Sequence, residues 1–96
     1  MMIRFLEAAQ LELDEAVVFH ETQAQGLGHA FLAEVLAALD RVCRHPDAWH
    51  PISTHTRRCR LRRFPYGVIY LVDQSDILVV AVAHLHRRPN YWHERV

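Results

Sequence analysis

Residues 66–86 constrain the fold more than any other part of the chain. Tyr66-Gly67-Val68-Ile69-Tyr70-Leu71-Val72 and Ile77-Leu78-Val79-Val80-Ala81-Val82-Ala83-His84 are apolar, β-branched runs separated by the polar Asp73-Gln74-Ser75-Asp76. That pairing reads as a β-hairpin, with strands over 66–73 and 76–86. Just upstream, Arg57-Arg58-Cys59-Arg60-Leu61-Arg62-Arg63 alternates basic and apolar residues and predicts another strand over about 57–64. Phe64-Pro65-Tyr66-Gly67 joins it to the hairpin.

The N-terminal half has a different period. Ile3 and Phe5 flank Arg4 and predict a short strand over 2–6. Ala9, Leu13, Ala16, Val17 and His20 then recur at helical spacing, predicting a helix over 7–24. Gln25-Gly26-Leu27-Gly28 interrupts it, with Gly26 suited to a left-handed position. A second helix over about 28–45 carries the stripe Phe31, Leu32, Val35, Leu36, Leu39, Val42, Cys43. So short a link folds the helices back as an antiparallel hairpin. His45-Pro46 ends the second helix, because the residue before proline avoids helical geometry. Residues 47–55, with Trp49 and Pro51, read as a loop. The expected architecture is α+β: an N-terminal strand, a helical hairpin, and a three-stranded antiparallel sheet covered on one face by the helices. The 96 residues suit one domain, 1–96.

A net charge of zero conceals an asymmetry. Residues 1–40 hold seven acids and one arginine, a net of −6; residues 41–96 hold ten arginines and four acids, a net of +6. An acidic helical side and a basic side are expected, a dipole that orients charged partners on encounter. All eleven Lys+Arg residues are arginine, which excludes a lysine nucleophile or Schiff base. There is no Gly-rich phosphate loop, Cys-x-x-Cys pair or Gly-x-Ser-x-Gly elbow, and no cofactor is expected. Cys43 and Cys59 read as free thiols. No apolar run approaches the roughly 20 residues that span a bilayer, and no secretory leader is visible, so a cytoplasmic protein without a membrane partner is expected.

Candidate binding chemistry centres on arginine. With Cys59 and Leu61 facing the core, Arg58, Arg60 and Arg62 fall together on the open face of the strand. Such a row of guanidinium forks binds carboxylates or phosphates, or simply solvates the strand and discourages sheet-to-sheet sticking. Taken alone, it does not choose between an acidic protein and RNA. His84 and His86 share a strand face, with His93 nearby, and suit either edge hydrogen bonding or general acid–base work. Their spacing can chelate a metal, but no third ligand is fixed and no metal is expected. His20, His29, His45, His50 and His55 read as surface residues. Tyr91 and Trp92 suit pinning the C-terminal tail to the sheet or stacking on a base.

In order and spacing, several segments resemble the RelE/ParE family of bacterial toxins. They are Ala8-Ala9-x-x-Glu12-Leu13, Leu27-Gly28-x-x-Phe31-Leu32, His45-Pro46, Arg58, Phe64-Pro65-Tyr66-Gly67-Val68-Ile69-Tyr70 and Ala81-Val82-Ala83-His84-x-x-Arg87-Arg88-Pro89-x-Tyr91-Trp92. The resemblance implies the toxin of a type II toxin–antitoxin module, with growth inhibition and plasmid stabilisation as associated roles. It also implies a hetero-oligomer with a cognate antitoxin, whose flexible segment folds onto an exposed apolar strip beside the helical hairpin. The RelE-like branch cuts ribosome-bound mRNA with basic residues and a tyrosine; here its candidates are Arg60, Arg62, His84, Arg87, Arg88 and Tyr91. The ParE-like branch inhibits DNA gyrase without catalysis. Where the nuclease branch tends to carry an arginine, this sequence has Gly67. A missing oxyanion-type contact is worth about 3 kcal/mol of transition-state stabilisation. The neutral charge also departs from that branch. The expectation is therefore ParE-like, with Arg58, Arg60, Arg62, Arg87 and Arg88 as target-binding residues. The alternatives are the ribosome-dependent endoribonuclease and a non-toxic module that only binds the antitoxin.

Overall fold

The computed structural model describes residues 1–96 and follows the periodicities of the sequence. Strand β1 (Ile3–Phe5) leads into helices α1 (Glu7–Gln23) and α2 (Leu27–Arg44). Strands β2 (His50–Pro51), β3 (Arg57–Arg60), β4 (Tyr66–Asp73) and β5 (Asp76–His84) follow, and a 3₁₀ turn at His93–Arg95 ends the chain. The expected α+β architecture is present, with two additions. The sheet has five strands in the order β1-β5-β4-β3-β2. Strand β1 pairs in parallel with the outer edge of β5, Ile3 opposite Ile77 and Phe5 opposite Val79. The stretch read as a loop contains β2, which pairs antiparallel with β3.

The β4–β5 hairpin is the centre of the sheet and turns through Gln74-Ser75. Gln74 takes φ of 59°, a left-handed geometry that matches a tight hairpin to the strands' twist. A bulge beside Ile69/Tyr70 shifts the register, so that Ile69 faces Ala81 and Tyr70 faces Val79. Alternation divides the apolar side chains between two faces, and the bulge puts the successive residues Val80 and Ala81 in one cluster. Cys59, Val68, Tyr70, Val79 and Val82 join Leu13, Phe31, Val35 and Val42 beneath the helices. On the opposite face Ile69, Val80, Ala81 and Ala83 form a smaller cluster capped by Trp92.

Strand β3 is shorter than the 57–64 expected, and its end has a clear cause. Glu34 of α2 accepts the backbone amides of Arg62 (2.9 Å) and Arg63 (3.4 Å) and the Arg63 Nε (2.7 Å). The chain is drawn to the helix before Pro65, which has no amide to give the ladder. The Arg63 hydrogen bond, followed by the two amides, holds the Glu34 carboxyl below its ordinary pKa despite its desolvation. Strand β5 likewise stops at His84 rather than residue 86.

His20 corrects the expectation of a surface histidine. It is buried, bonded to the Ala16 carbonyl, and stacked on Phe31 at 4.5 Å with Phe64 and Tyr66 at its edges. Its place on the α1 apolar stripe was the better guide. Leu36, assigned to the α2 stripe, is exposed instead. His29, His45, His50 and His55 are exposed as expected. Cys43 and Cys59 are free thiols, with Cys59 buried. No helix is long and apolar enough to cross a membrane.

The helical hairpin closes on two glycines. Gly26 takes φ of 85°, and the Glu21 carboxylate accepts the amides of Gly26 and Gly28 at 2.9 and 3.0 Å. At Gly28 a Cβ would meet the Val17 carbonyl oxygen at 2.5 Å, against backbone that cannot swing aside. Gly28→Ala is expected to destabilise the fold by about 1–3 kcal/mol, the scale of overpacking at a tight contact, read as a lowered urea midpoint.

Candidate functional site

On the face of the sheet away from the helices, β3, the ends of β4 and β5, and the segment 85–92 enclose a cleft of about 400 Å³. Its lining brings together Arg58, His84, Arg87, Arg88 and Tyr91 of the expected residues, and adds His50 from β2. Arg60 lies just outside, in an adjoining depression shared with Trp49, His50 and Arg58. Arg62 does not join them. The stripe breaks after Arg60 because Glu34 has pulled the following amides toward α2. His84 and His86 do not share a strand face either, since the strand has ended. The Nδ1 of His84 instead accepts the His86 amide at 3.0 Å, and their rings meet at 5.2 Å. No group of three or more His, Cys, Asp or Glu side chains is placed to hold a metal ion.

Arg58 is delivered to the cleft by Gly67. Arg58 is paired with Ile69 across the β3–β4 ladder, so Gly67 is its diagonal neighbour. A Cβ at Gly67 would meet Arg58 Cγ and Cδ, each at 2.8 Å. The missing side chain is thus the slot in which the arginine stem lies across β4. The position that lacks an arginine in the sequence is not left without positive charge, because a neighbouring strand supplies it. The Arg58 Nε is buried and has no hydrogen-bond partner. Desolvation, and secondarily Arg60, pull the Arg58 pKa below its ordinary value.

The opposite wall is held by a carboxylate to which the sequence assigned no role. Glu12 of α1 accepts the Val82 amide at 3.0 Å, the Tyr91 hydroxyl at 2.7 Å, and both Arg95 terminal nitrogens at 2.9 and 3.0 Å. Arg95 also donates to the Val80 carbonyl. Strand β1 covers β5 only as far as Val79, so Glu12 and Arg95 satisfy the edge groups beyond it. Asn90, at φ of 62°, turns the chain so that Tyr91 and Trp92 come back onto the sheet. Arg87 lies 3.9 Å from the centroid of the Tyr91 ring and 3.8 Å from Glu12. Burial, then the Glu12 hydrogen bond, push the Tyr91 phenol well above its usual range. The Glu12 bond raises the Arg95 pKa. In the sequence Glu12 stands only as an acid beside the apolar stripe Ala9, Leu13, Ala16, within the segment Ala8-Ala9-x-x-Glu12-Leu13. Its partner Arg95 is too far along the chain for spacing to reveal.

Glu12→Ala strands a buried amide and a largely buried guanidinium. A loss of about 2–3 kcal/mol is expected, with Trp92 fluorescence shifted to the red as the tail lifts from the sheet. Unchanged stability and emission would show that the tail is held by Trp92 alone.

The family model described as ParE toxin of type II toxin-antitoxin system, parDE, matches residues 3–89. Among solved structures, the chain is similar to one described as the chromosomal ParDE TA system from P. aeruginosa. The TM-score is 0.61 at 18% identity, over 88% of this chain and 95% of that one, a likeness of fold. No curated protein matches the sequence.

Proposed function

The chain belongs to the ParE toxin family of type II toxin–antitoxin systems, and on that premise we propose that it is a toxin that acts by gripping a bacterial protein, DNA gyrase being the target this branch suggests. A cognate antitoxin partner follows from the same membership, and the proposal includes neutralisation by it. The observation that carries the reading is the uncompensated charge of the open sheet face. Arg58, Arg60 and Arg88 have no acidic partner, whereas Glu12, Glu34, Asp40 and Asp73 are engaged by other arginines. Unpaired guanidiniums around a cleft are suited to desolvated contact with carboxylates or phosphates.

Two of the atoms an endoribonuclease could use for proton transfer are engaged within the chain. The Tyr91 hydroxyl donates to Glu12 and its ring is covered by Arg87. The Nδ1 of His84 is taken by a backbone amide. This favours adhesion over strand cleavage.

The antitoxin has a separate place to bind. Leu11, Val18 and Phe19 project from the outer face of α1, each more than half exposed. Leu11 and Val18 are seven residues apart and so lie on one helical face. An apolar segment of the antitoxin folding against that stripe leaves the arginine face free to be covered separately.

The Arg58→Ala, Arg60→Ala double variant is expected to keep a cooperative unfolding transition while its target affinity falls by about tenfold or more, the scale of losing a charge-assisted contact. The check is growth arrest on induction, with plasmid supercoiling and message integrity followed together. Supercoiling defects with intact messages support the proposal. Full toxicity of the double variant, or codon-specific message cleavage by the parent, overturns it.

A further inference from the structure

The cleft beside Arg58 contains a charge without a counterion and room for a ligand. Its lining includes Arg58, Arg87 and Arg88, with His50 and His84, and no Asp or Glu. Arg87 is partly balanced by Glu12 at 3.8 Å, which leaves Arg58 and Arg88 as two free positive charges. The Arg58 Nε is buried and lacks an acceptor, although such groups are nearly always satisfied in folded proteins. The cavity that Arg58 lines is open and free of acids, so its guanidinium has no anionic partner within the chain. Gly67 contributes to the site, since a larger residue there would displace the Arg58 stem.

We propose that this cleft binds a phosphate monoester or free phosphate, taken as the dianion between Arg58 and Arg88. Two free guanidiniums match two negative charges, whereas a carboxylate or a phosphodiester brings only one. The volume of about 400 Å³ falls in the range of small-molecule sites, large enough for phosphate carrying one nucleoside and too small for a folded partner. Ile52, Ile69 and Trp92 give part of the wall an apolar character that a base or sugar can lie against.

The inference deepens the reading of this face as the working surface, but it is measured on the isolated chain, so growth assays and ligand binding can fail separately. Isothermal titration of the full chain with inorganic phosphate, with adenosine 5′-monophosphate and with the diester ApA is the experiment. Saturable one-to-one binding of phosphate and the monophosphate, with ApA weaker by about tenfold or more, is expected from the charge difference. Similar affinities for the first two identify free phosphate as the ligand; a tighter monophosphate identifies a nucleotide. Arg58→Gln and Arg88→Gln should each weaken binding about tenfold, the scale of one charge-assisted contact. Gly67→Ala should do so as well, by lifting the Arg58 stem while leaving the unfolding midpoint near that of the parent. Arg44→Gln, on the far end of α2, should change nothing. Binding of ApA as tight as the monophosphate, binding indifferent to Arg58→Gln and Arg88→Gln, or no heat with either monoester-class probe overturns the proposal.

Discussion

The Glu12 carboxylate ties together three parts of the chain at one point. It reaches from α1 to the free edge of β5 at Val82 and to Tyr91 and Arg95 of the C-terminal segment. Without it, β5 would present unpaired amide and carbonyl groups beyond the end of β1, an invitation to pair with another chain. The segment 85–92 would also lose the anchor that makes it a wall. The cleft, the position of Arg87 over Tyr91, and the engagement of the Tyr91 hydroxyl all follow from this acceptor. A carboxylate suits the task because it has enough lone pairs for the amide, the hydroxyl and the guanidinium at once.

The arginine face depends on a complementary device, the absence of a side chain. Gly67 lets Arg58 lie flat across β4 into a partly dehydrated cleft. Charge is thereby concentrated where water is scarce, and a ligand is worth more there than on open surface. The acids that might have quenched it are committed elsewhere: Glu34 to Arg63, Asp40 to Arg44, Glu21 to the start of α2. Zero net charge is thus compatible with a basic open sheet face, because most of the opposite charges are spent on the helical side.

Much of the fold was legible from periodicity. The alternation of β4 and β5, the stripe Phe31, Val35, Leu39, Val42 and the breaks at Gly26 and Pro46 each report a local geometry, and local geometry is what spacing encodes. The candidate site was legible in composition but not in arrangement. Arg58, Arg87 and Arg88 were candidates without an assigned common surface, and the structure brings them to one cleft with Arg60 adjoining. Arg62 does not join them, because strand parity assumes that the strand continues, and Glu34 ends it from 28 residues away. His50 was missed because a two-residue strand carries no periodic signal.

The sequence by itself determined the elements, their order, and the segregation of acid toward the N-terminal half and arginine toward the C-terminal half. These depend on neighbours within a few residues or on simple counting. Tertiary structure alone decided that Gly67 is a slot for Arg58 rather than a loss of charge, that Glu12 anchors Arg95, and that β1 stops short of Val82. Each is a contact between residues distant in sequence, set by sheet register and by the angle at which a helix crosses it. Residue spacing holds no record of such distances.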